Sequence, residues 1–495
     1  MPDNGTMMQY FHWYYQSTDA APDLWEQVTR QSVDLSELGI SALWLPPPYK
    51  GAAGRHDVGY GIYDLYDLGE FHQKGSVRTK YGTRQQYLKA IKSAHLAGMQ
   101  VYADVVLNHK AGADDTQWVK ASRVHYDNRN FHYGDETWIE AWTHFYFPGR
   151  GDKYSDFKWH YHHFDGVDWA HNLGEKAIFK FLGLGKDWEK MVSGEHGNYD
   201  YLMFSDLDMN HPEVRTELAR WAKWFIRTTD VDGFRLDAIK HIQYSFFRDW
   251  LSFLRRDLDP KEIFAVGEYW SSQVGELIHY LDKTDGLMSL FDAPLQNNFY
   301  LASRAPGGHY DMRRLLDNTL VAADPVHAVT LVDNHDTQPC QALERWVDWW
   351  FKPLAYAVIL LRQDGYPCVF YPDYYGAEYN DCGQHITLAP VPGLHEMIHA
   401  RKHLAYGQQR DYFDHPDLIG WTRQGDGEHP GSGLAVLMSN GPGGRKWMNV
   451  GDAHAGKTFS DTLGNLPGTV IINEHGWGEF MTRGGSVSVW APSGQ

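Results

Sequence analysis

Residues 233–241 read GFRLDAIKH, an apolar run broken by Arg235 and Asp237 and closed by Lys240 and His241. A charge inside an apolar strand is costly to bury unless a partner meets it. Residues two apart on a strand face the same side, so Arg235 and Asp237 are neighbours there. Arg235 can then hold Asp237 ionised, and Asp104 from another apolar run can balance the Arg. Three further runs end in the same manner: 101–109 VYADVVLNH, 263–270 IFAVGEYW and 328–337 AVTLVDNHDT. An acidic residue at one strand end has a plain explanation as a helix cap. Four such ends in order ask for a common one.

Working outward, short apolar runs rich in β-branched and aromatic residues predict eight strands, at 7–13, 42–46, 101–107, 233–238, 263–268, 289–292, 328–333 and 367–371. Helical periodicity is expected between them over 24–38, 84–97, 212–228, 246–258, 353–362 and 394–404. Gly39 and Gly98 stand where left-handed helix ends are expected. Strands alternating with helices predict an α/β fold, a (β/α)8 barrel whose strand C-termini converge on one cleft. About a hundred residues rich in His, Trp, Tyr, Asp and Gly separate the third strand from the helix at 212, far more than an ordinary βα loop. They are expected to form a small inserted domain on that face. After about Tyr406 the pattern turns to short strands such as 434–438 and 487–490, with turn signals such as GPGG at 441–444. The division expected is barrel 1–108, inserted domain 109–207, barrel 208–406 and an antiparallel C-terminal β-sandwich 407–495.

Composition narrows the partners. A net charge of −18 repels nucleic acid and anionic membranes, and no apolar run approaches the roughly 18 residues of a membrane span. The opening Met1-Pro2-Asp3-Asn4-Gly5 has neither a basic nor an apolar signal region, so a cytoplasmic location is expected, with a mature secreted form as the alternative. Cys340, Cys368 and Cys382 have no metal-like spacing and read as free thiols. Aromatic residues reach 15%, and their flat rings suit both core packing and stacking on sugars.

The four strand-end segments resemble the four signature regions of the α-amylase family of glycoside hydrolases. The likeness extends over nearly the whole chain, through 57–61 DVGYG, 69–75 GEFHQKG, 351–356 FKPLAY, 476–480 GWGEF and 484–490 GGSVSVW. It is strongest to the bacterial liquefying amylases and their intracellular relatives. The resemblance implies a monomer that hydrolyses internal α-1,4 bonds of starch, glycogen and maltooligosaccharides with retention. Asp237 matches the nucleophile, Glu268 the general acid and base, and Asp336 the third carboxylate, which favours the distorted, cation-like transition state. Retention needs an ionised nucleophile and a protonated acid roughly 5 Å apart. Their pKa values are therefore expected to move in opposite directions, Asp237 held charged by Arg235 and Glu268 kept protonated by crowding carboxylates. His109, His241 and His335 match hydroxyl-binding histidines; Tyr60, Lys240 and Trp270 match subsite residues. A maltooligosaccharide-forming amylase or glucan transferase is the alternative within the family. A non-catalytic glucan-binding protein is the alternative outside it, against which stands the presence of every family carboxylate.

The resemblance also implies metal. Asn108, Asp200, Asp206 and the carbonyl of His241 match a structural calcium site, an all-oxygen set suited to a hard cation. Asp165, Asp187 and Asp208 match a second cluster that takes sodium or a second calcium in relatives. Asn210 stands there in place of the usual Asp, and the stretch 187–200 is longer than theirs.

Overall fold

Eight parallel strands close into a barrel in chain order: Met7–Gln9, Ala42–Leu45, Gln100–Val105, Gly233–Leu236, Phe264–Gly267, Ser289–Phe291, Ala328–Leu331 and Tyr366–Phe370. This is a computed structural model describing residues 4–16, 23–257 and 262–493. Residues 1–3 of the opening and Leu258, the end of the expected helix 246–258, lie outside the described residues. All eight strands sit where the apolar runs predict them; seven end one or two residues early, and the first ends four early. The run 7–13 shows why. Beyond Gln9 only the Tyr10 N–H continues the ladder, donating to Trp44 O at 2.9 Å, and the chain then turns through His12 to Tyr15. The apolar residues Phe11 and Trp13 line the rim instead of extending the sheet.

The surrounding helices follow their periodicity. Pro212–Thr229 turns Val214, Leu218, Trp221 and Phe225 inward at spacings of three and four, with the Trp221 indole donating to Leu65 O at 2.9 Å. Burying each such side chain contributes roughly 1.5–3 kcal/mol. Arg84–Leu96 begins in a capping box, where Thr83 and Gln86 satisfy each other's backbone N–H groups. Gly39, at φ 126°, ends Leu24–Leu38 in a conformation that only glycine adopts cheaply. Two longer helices were not foreseen, Val274–Lys283 and Ala293–Ser303, nor were the short Leu320–Ala323 and Tyr371–Tyr375. The first carries Gly275 in its opening turn, and the second contains Pro294, Asn297 and Asn298, which dilute a helical signal.

Between the third strand and helix Pro212–Thr229 runs a six-stranded sheet that includes His109–Lys110, Asp115–Val124, His132–His144, Phe164–Ala170, Glu175–Phe181 and Ser205–Leu207. Its first and last strands, His109–Lys110 and Ser205–Leu207, pair with each other, so the excursion closes beside the barrel rim it left. After helix Leu394–His403, a second six-stranded sheet and the two-stranded pair Gly443–Asn449 and Trp477–Arg483 are all antiparallel. The three cysteines are free.

Candidate active site

Arg235 stands in register with Asp104 on the third barrel strand and Val266 on the fifth. Its Nη1 donates to Asp104 Oδ1 at 2.9 Å and to Asp237 Oδ1 at 2.6 Å. Its Nη2 lies 2.9 Å from Glu268 Oε2 as an ion pair, without the angle of a hydrogen bond. One fully buried guanidinium therefore faces three carboxylates. Trp44 Nε1 and the Tyr60 hydroxyl donate to the far oxygen of Asp104 at 3.0 and 2.8 Å, leaving it no freedom to turn away.

Asp237 and Glu268 follow the register pair Leu236 and Gly267, so they leave adjacent strands at the same height. Ala238 adopts a left-handed φ of 49°, and its N–H donates to Glu268 Oε2 at 3.1 Å. That conformation costs a residue with a Cβ about 1–2 kcal/mol, and here it aims a backbone donor at a carboxylate. Asp336 arrives from the loop after the seventh strand. Asn334 Oδ1 accepts the N–H groups of Asp336 and Thr337 at 2.9 Å and fixes that loop. The charges of Glu268 and Asp237 both act on Asp336. The three acids expected to meet therefore share one electrostatic environment.

Their titration departs from expectation. Burial lifts Asp237 to about 6, with Arg235 pulling it down by less. Burial also lifts Glu268, opposed by Arg235 and reinforced by the charge of Asp237. Asp336 rises well above the carboxylate range through burial and the nearby charge of Glu268. The opposite shifts expected of Asp237 and Glu268 are thus replaced by two upward ones. Arg235 serves both acids and Asp104 besides, so its single charge does not overcome the loss of water around each.

The three histidines are neutral for one reason, burial. It lowers His109 to about 4, His241 to about 3, and His335 well below its usual value. Neutral rings can donate or accept a hydroxyl hydrogen bond. His335 Nε2 is 3.4 Å from Asp336 Oδ2, and its Nδ1 meets Gln9 Nε2 at 3.0 Å. The Tyr60 ring lies parallel to His335 at 5.1 Å and to Trp13 at 5.6 Å. Lys240 donates to Glu195 Oε1 at 3.1 Å and to the carbonyl of the half-buried Trp270 at 3.1 Å. Gln9, Trp13 and Glu195 were not foreseen. Gln9 and Trp13 belong to an apolar run with no charge to mark it, and Glu195 lies 45 residues from the lysine it meets.

Below this rim the barrel and the inserted sheet share an acidic cluster. Asn108 Nδ2 donates to Asp206 Oδ1 at 3.1 Å, while Asp206 Oδ2 and both oxygens of Asp165 are buried without a hydrogen-bond partner. Asp165, Asp200 and Asp206 are all pushed well above the carboxylate range by burial and mutual repulsion. Orphaned, mutually repelling oxygens are what a hard cation neutralises, so the chemistry of Asn108, Asp200 and Asp206 suits a calcium ion. The His241 ring is held by Tyr199 O at 2.8 Å, which ties this loop to the insertion.

The second cluster differs from expectation. Asp187 stays outside it, 59% exposed, because Lys180 at 2.5 Å and Lys190 draw it toward solvent. Glu189 takes a place there, its ligand oxygen within 4.8 Å of those of Asp165 and Asp208. Glu189 also accepts the N–H groups of Met209 at 2.6 Å and Gln243 at 2.9 Å. Lys186 Nζ reaches the same cluster, 2.9 Å from Asp208 Oδ2 and 2.7 Å from His162 O. Asn210 Oδ1 accepts from Gln243 Nε2 at 3.0 Å and faces this loop, not a cation. An ammonium thus already balances part of the charge that a second metal would meet, while the ligand oxygens of Asp165, Glu189 and Asp208 still lie close enough to share one.

A closed parallel barrel with this carboxylate rim defines the class, a barrel glycoside hydrolase. Residues 23–416 match the model of the alpha amylase catalytic domain, and residues 434–491 match the alpha-amylase C-terminal domain. The chain belongs to the α-amylase family. It is 59% identical to an alpha-amylase of Geobacillus stearothermophilus over 99% of this chain and 87% of that one. It is 52% identical to a glucan 1,4-alpha-maltohexaosidase of Bacillus sp. (strain 707), covering 98% and 92%. It is 46% identical to a cytoplasmic alpha-amylase of Escherichia coli (strain K12), covering 98% of each.

Proposed function

We propose that the chain hydrolyses internal α-1,4 bonds of starch, glycogen and maltooligosaccharides with retention at the anomeric carbon. One observation carries this: Asp237 and Glu268 contact a single guanidinium while Asp336 feels the charge of both. Asp237 attacks the anomeric carbon and forms a glycosyl-enzyme ester. Glu268, held protonated by burial, gives its proton to the leaving oxygen and then takes one from the incoming water. Asp336, beside the neutral His335, holds sugar hydroxyls and stabilises the cation-like transition state. His109 and His241 bind hydroxyls flanking the cleaved bond, and Tyr60 and Trp270 stack on the glucan. Lys240 fixes the loop beneath Trp270.

The division into barrel 1–108 and 208–406, insertion 109–207 and β domain 407–495 is supported by the separate sheets. Asn108, Asp200, Asp206 and the His241 carbonyl would hold calcium, which ties the insertion to the barrel without taking part in bond cleavage. A cytoplasmic location is supported by the Escherichia coli relative. The maltohexaosidase relative favours a second reading, release of mainly one short product. Following iodine colour against reducing ends on soluble starch separates the two. Rapid colour loss with few new ends supports internal cleavage; early accumulation of one maltooligosaccharide supports the second; no new ends refute both.

A further inference from the structure

The strands Asp115–Val124 and His132–His144 form a hairpin in which Trp118 pairs with Glu140, Lys120 with Trp138 and Thr116 with Trp142. Paired residues share a face, so Trp118, Trp138 and Trp142 stand on one side of the hairpin, Trp118 diagonal to the other two. The other side carries Val119, Ala121, Ile139 and Ala141, all buried. The period of two thus turns aliphatic residues into the protein and tryptophans into water. Trp118 is 54% exposed and Trp138 58%, an arrangement opposite to ordinary patterning. Exposed aromatic surface of this extent marks a binding site.

The ladder continues toward the catalytic rim. Trp142 lines a groove of about 400 Å³ together with Trp169, Asp168, Lys110 and Phe204. Phe204 in turn lies 5.4 Å from the ring of His109, which hydrogen-bonds Tyr60 O at 2.8 Å. The outer strand is braced by Asn172, whose side chain accepts from Glu140 N at 2.9 Å and donates to Trp138 O at 3.2 Å. The rings therefore sit on a fixed backbone. Lys120, Glu136 and Glu140 alternate with them and supply donors and acceptors for hydroxyl groups.

We propose that Trp118 and Trp138 form a distal platform for the same α-glucan chain whose reacting end lies at Asp237 and Glu268, reached through the Trp142–Phe204 groove. The proposal rests on the glucan-hydrolase reading above. The rings would stack on the apolar faces of successive glucose units, so long chains gain affinity and short ones do not. The choice of a sugar over a protein partner follows from continuity with the cleft and from polar residues between the rings.

The test is the double variant Trp118→Ala/Trp138→Ala, whose side chains point outward from a buried aliphatic layer. Its hydrolysis of a chromogenic maltotrioside should stay within about twofold of the parent, while its KM on amylose rises severalfold and its retardation in a glycogen-containing native gel diminishes. An unchanged amylose KM and unchanged retardation would overturn the platform and leave the hydrolase reading intact. A parent chain that cleaves neither substrate would overturn the reading beneath it. Should the variant misfold, radical footprinting of the parent answers the same question. Protection of Trp118 and Trp138 by a long maltodextrin but not by maltotriose supports the platform, and no protection refutes it.

Discussion

Asp237 comes two residues after Arg235, just past the end of the barrel strand Gly233–Leu236, and Nη1 of Arg235 is 2.6 Å from its Oδ1. The same Nη1 also serves Asp104 and the same guanidinium meets Glu268, so the charge of Asp237 is set by a cation it does not own alone. Loss of Asp237 should therefore remove the chemistry and leave the fold. Asp237→Asn keeps the shape and a hydrogen bond to Arg235, and kcat on starch should fall by at least ~10³-fold with the melting temperature preserved. Initial-rate assays beside a thermal melt check this; near-normal rates would remove Asp237 as nucleophile.

Glu268→Gln should discriminate between leaving groups. Without the proton donor, bonds to a sugar leaving group suffer most, while an activated aryl maltooligoside needs no proton and keeps a larger share of its rate. Measuring both substrates gives the answer. Equal losses on the two would mean that Glu268 is not the acid.

The pH profile follows from the upward shift of Asp237, the proposed nucleophile. Asp237 titrates near 6, and the attacking form is the ionised one, so activity should rise with pH through that region. As the proposed acid Glu268 is needed protonated, and burial raises its pKa in the direction that favours that form. Arg235→Lys keeps a charge but gives up the fork shared among three acids. Burial is then opposed less, and the acidic limb should move to higher pH. A limb unmoved by this variant would break the link.

Calcium should stabilise by mass action. An ion present at ~100 times its Kd contributes about 2.7 kcal/mol to the folded state. EDTA should therefore lower the melting temperature by a few degrees and excess calcium restore it, with metal analysis finding the ion. An unchanged melt together with no bound calcium would refute the clamp at Asn108, Asp200 and Asp206.

Lys186 should matter most when calcium is scarce. Lys186→Met removes the ammonium 2.9 Å from Asp208, leaving Asp165, Glu189 and Asp208 to repel one another. Breaking a buried pair costs about 3–5 kcal/mol. The variant should melt well below the parent at low calcium, and the gap should narrow as calcium is raised. A gap that is the same at all calcium concentrations would show that the lysine does not substitute for a cation.

The barrel was legible because its strands are short apolar runs with charges only at their ends, as in 233–241. The rim acids were legible for the same reason. Strand ends were not, since Phe11 and Trp13 are as apolar as the strand before them and line the cleft instead. Glu189, Glu195 and Lys186 were hidden for another reason. Each acts on a residue 20 or more positions away, Glu189 on Met209, Glu195 on Lys240 and Lys186 on Asp208, and no local pattern encodes those meetings. Asp187 misled because its acidic neighbourhood looks like a ligand set, while Lys180, on the strand just before it, pairs with it instead.

The most direct test of the central claim is the anomeric form of the first product, followed by NMR in the opening minutes of maltooligosaccharide cleavage. If Asp237 attacks and Glu268 then activates water on the opposite face, the one the leaving group vacated, the α-anomer appears first and the β-anomer grows in only by mutarotation. A β-anomer present from the start would contradict the account.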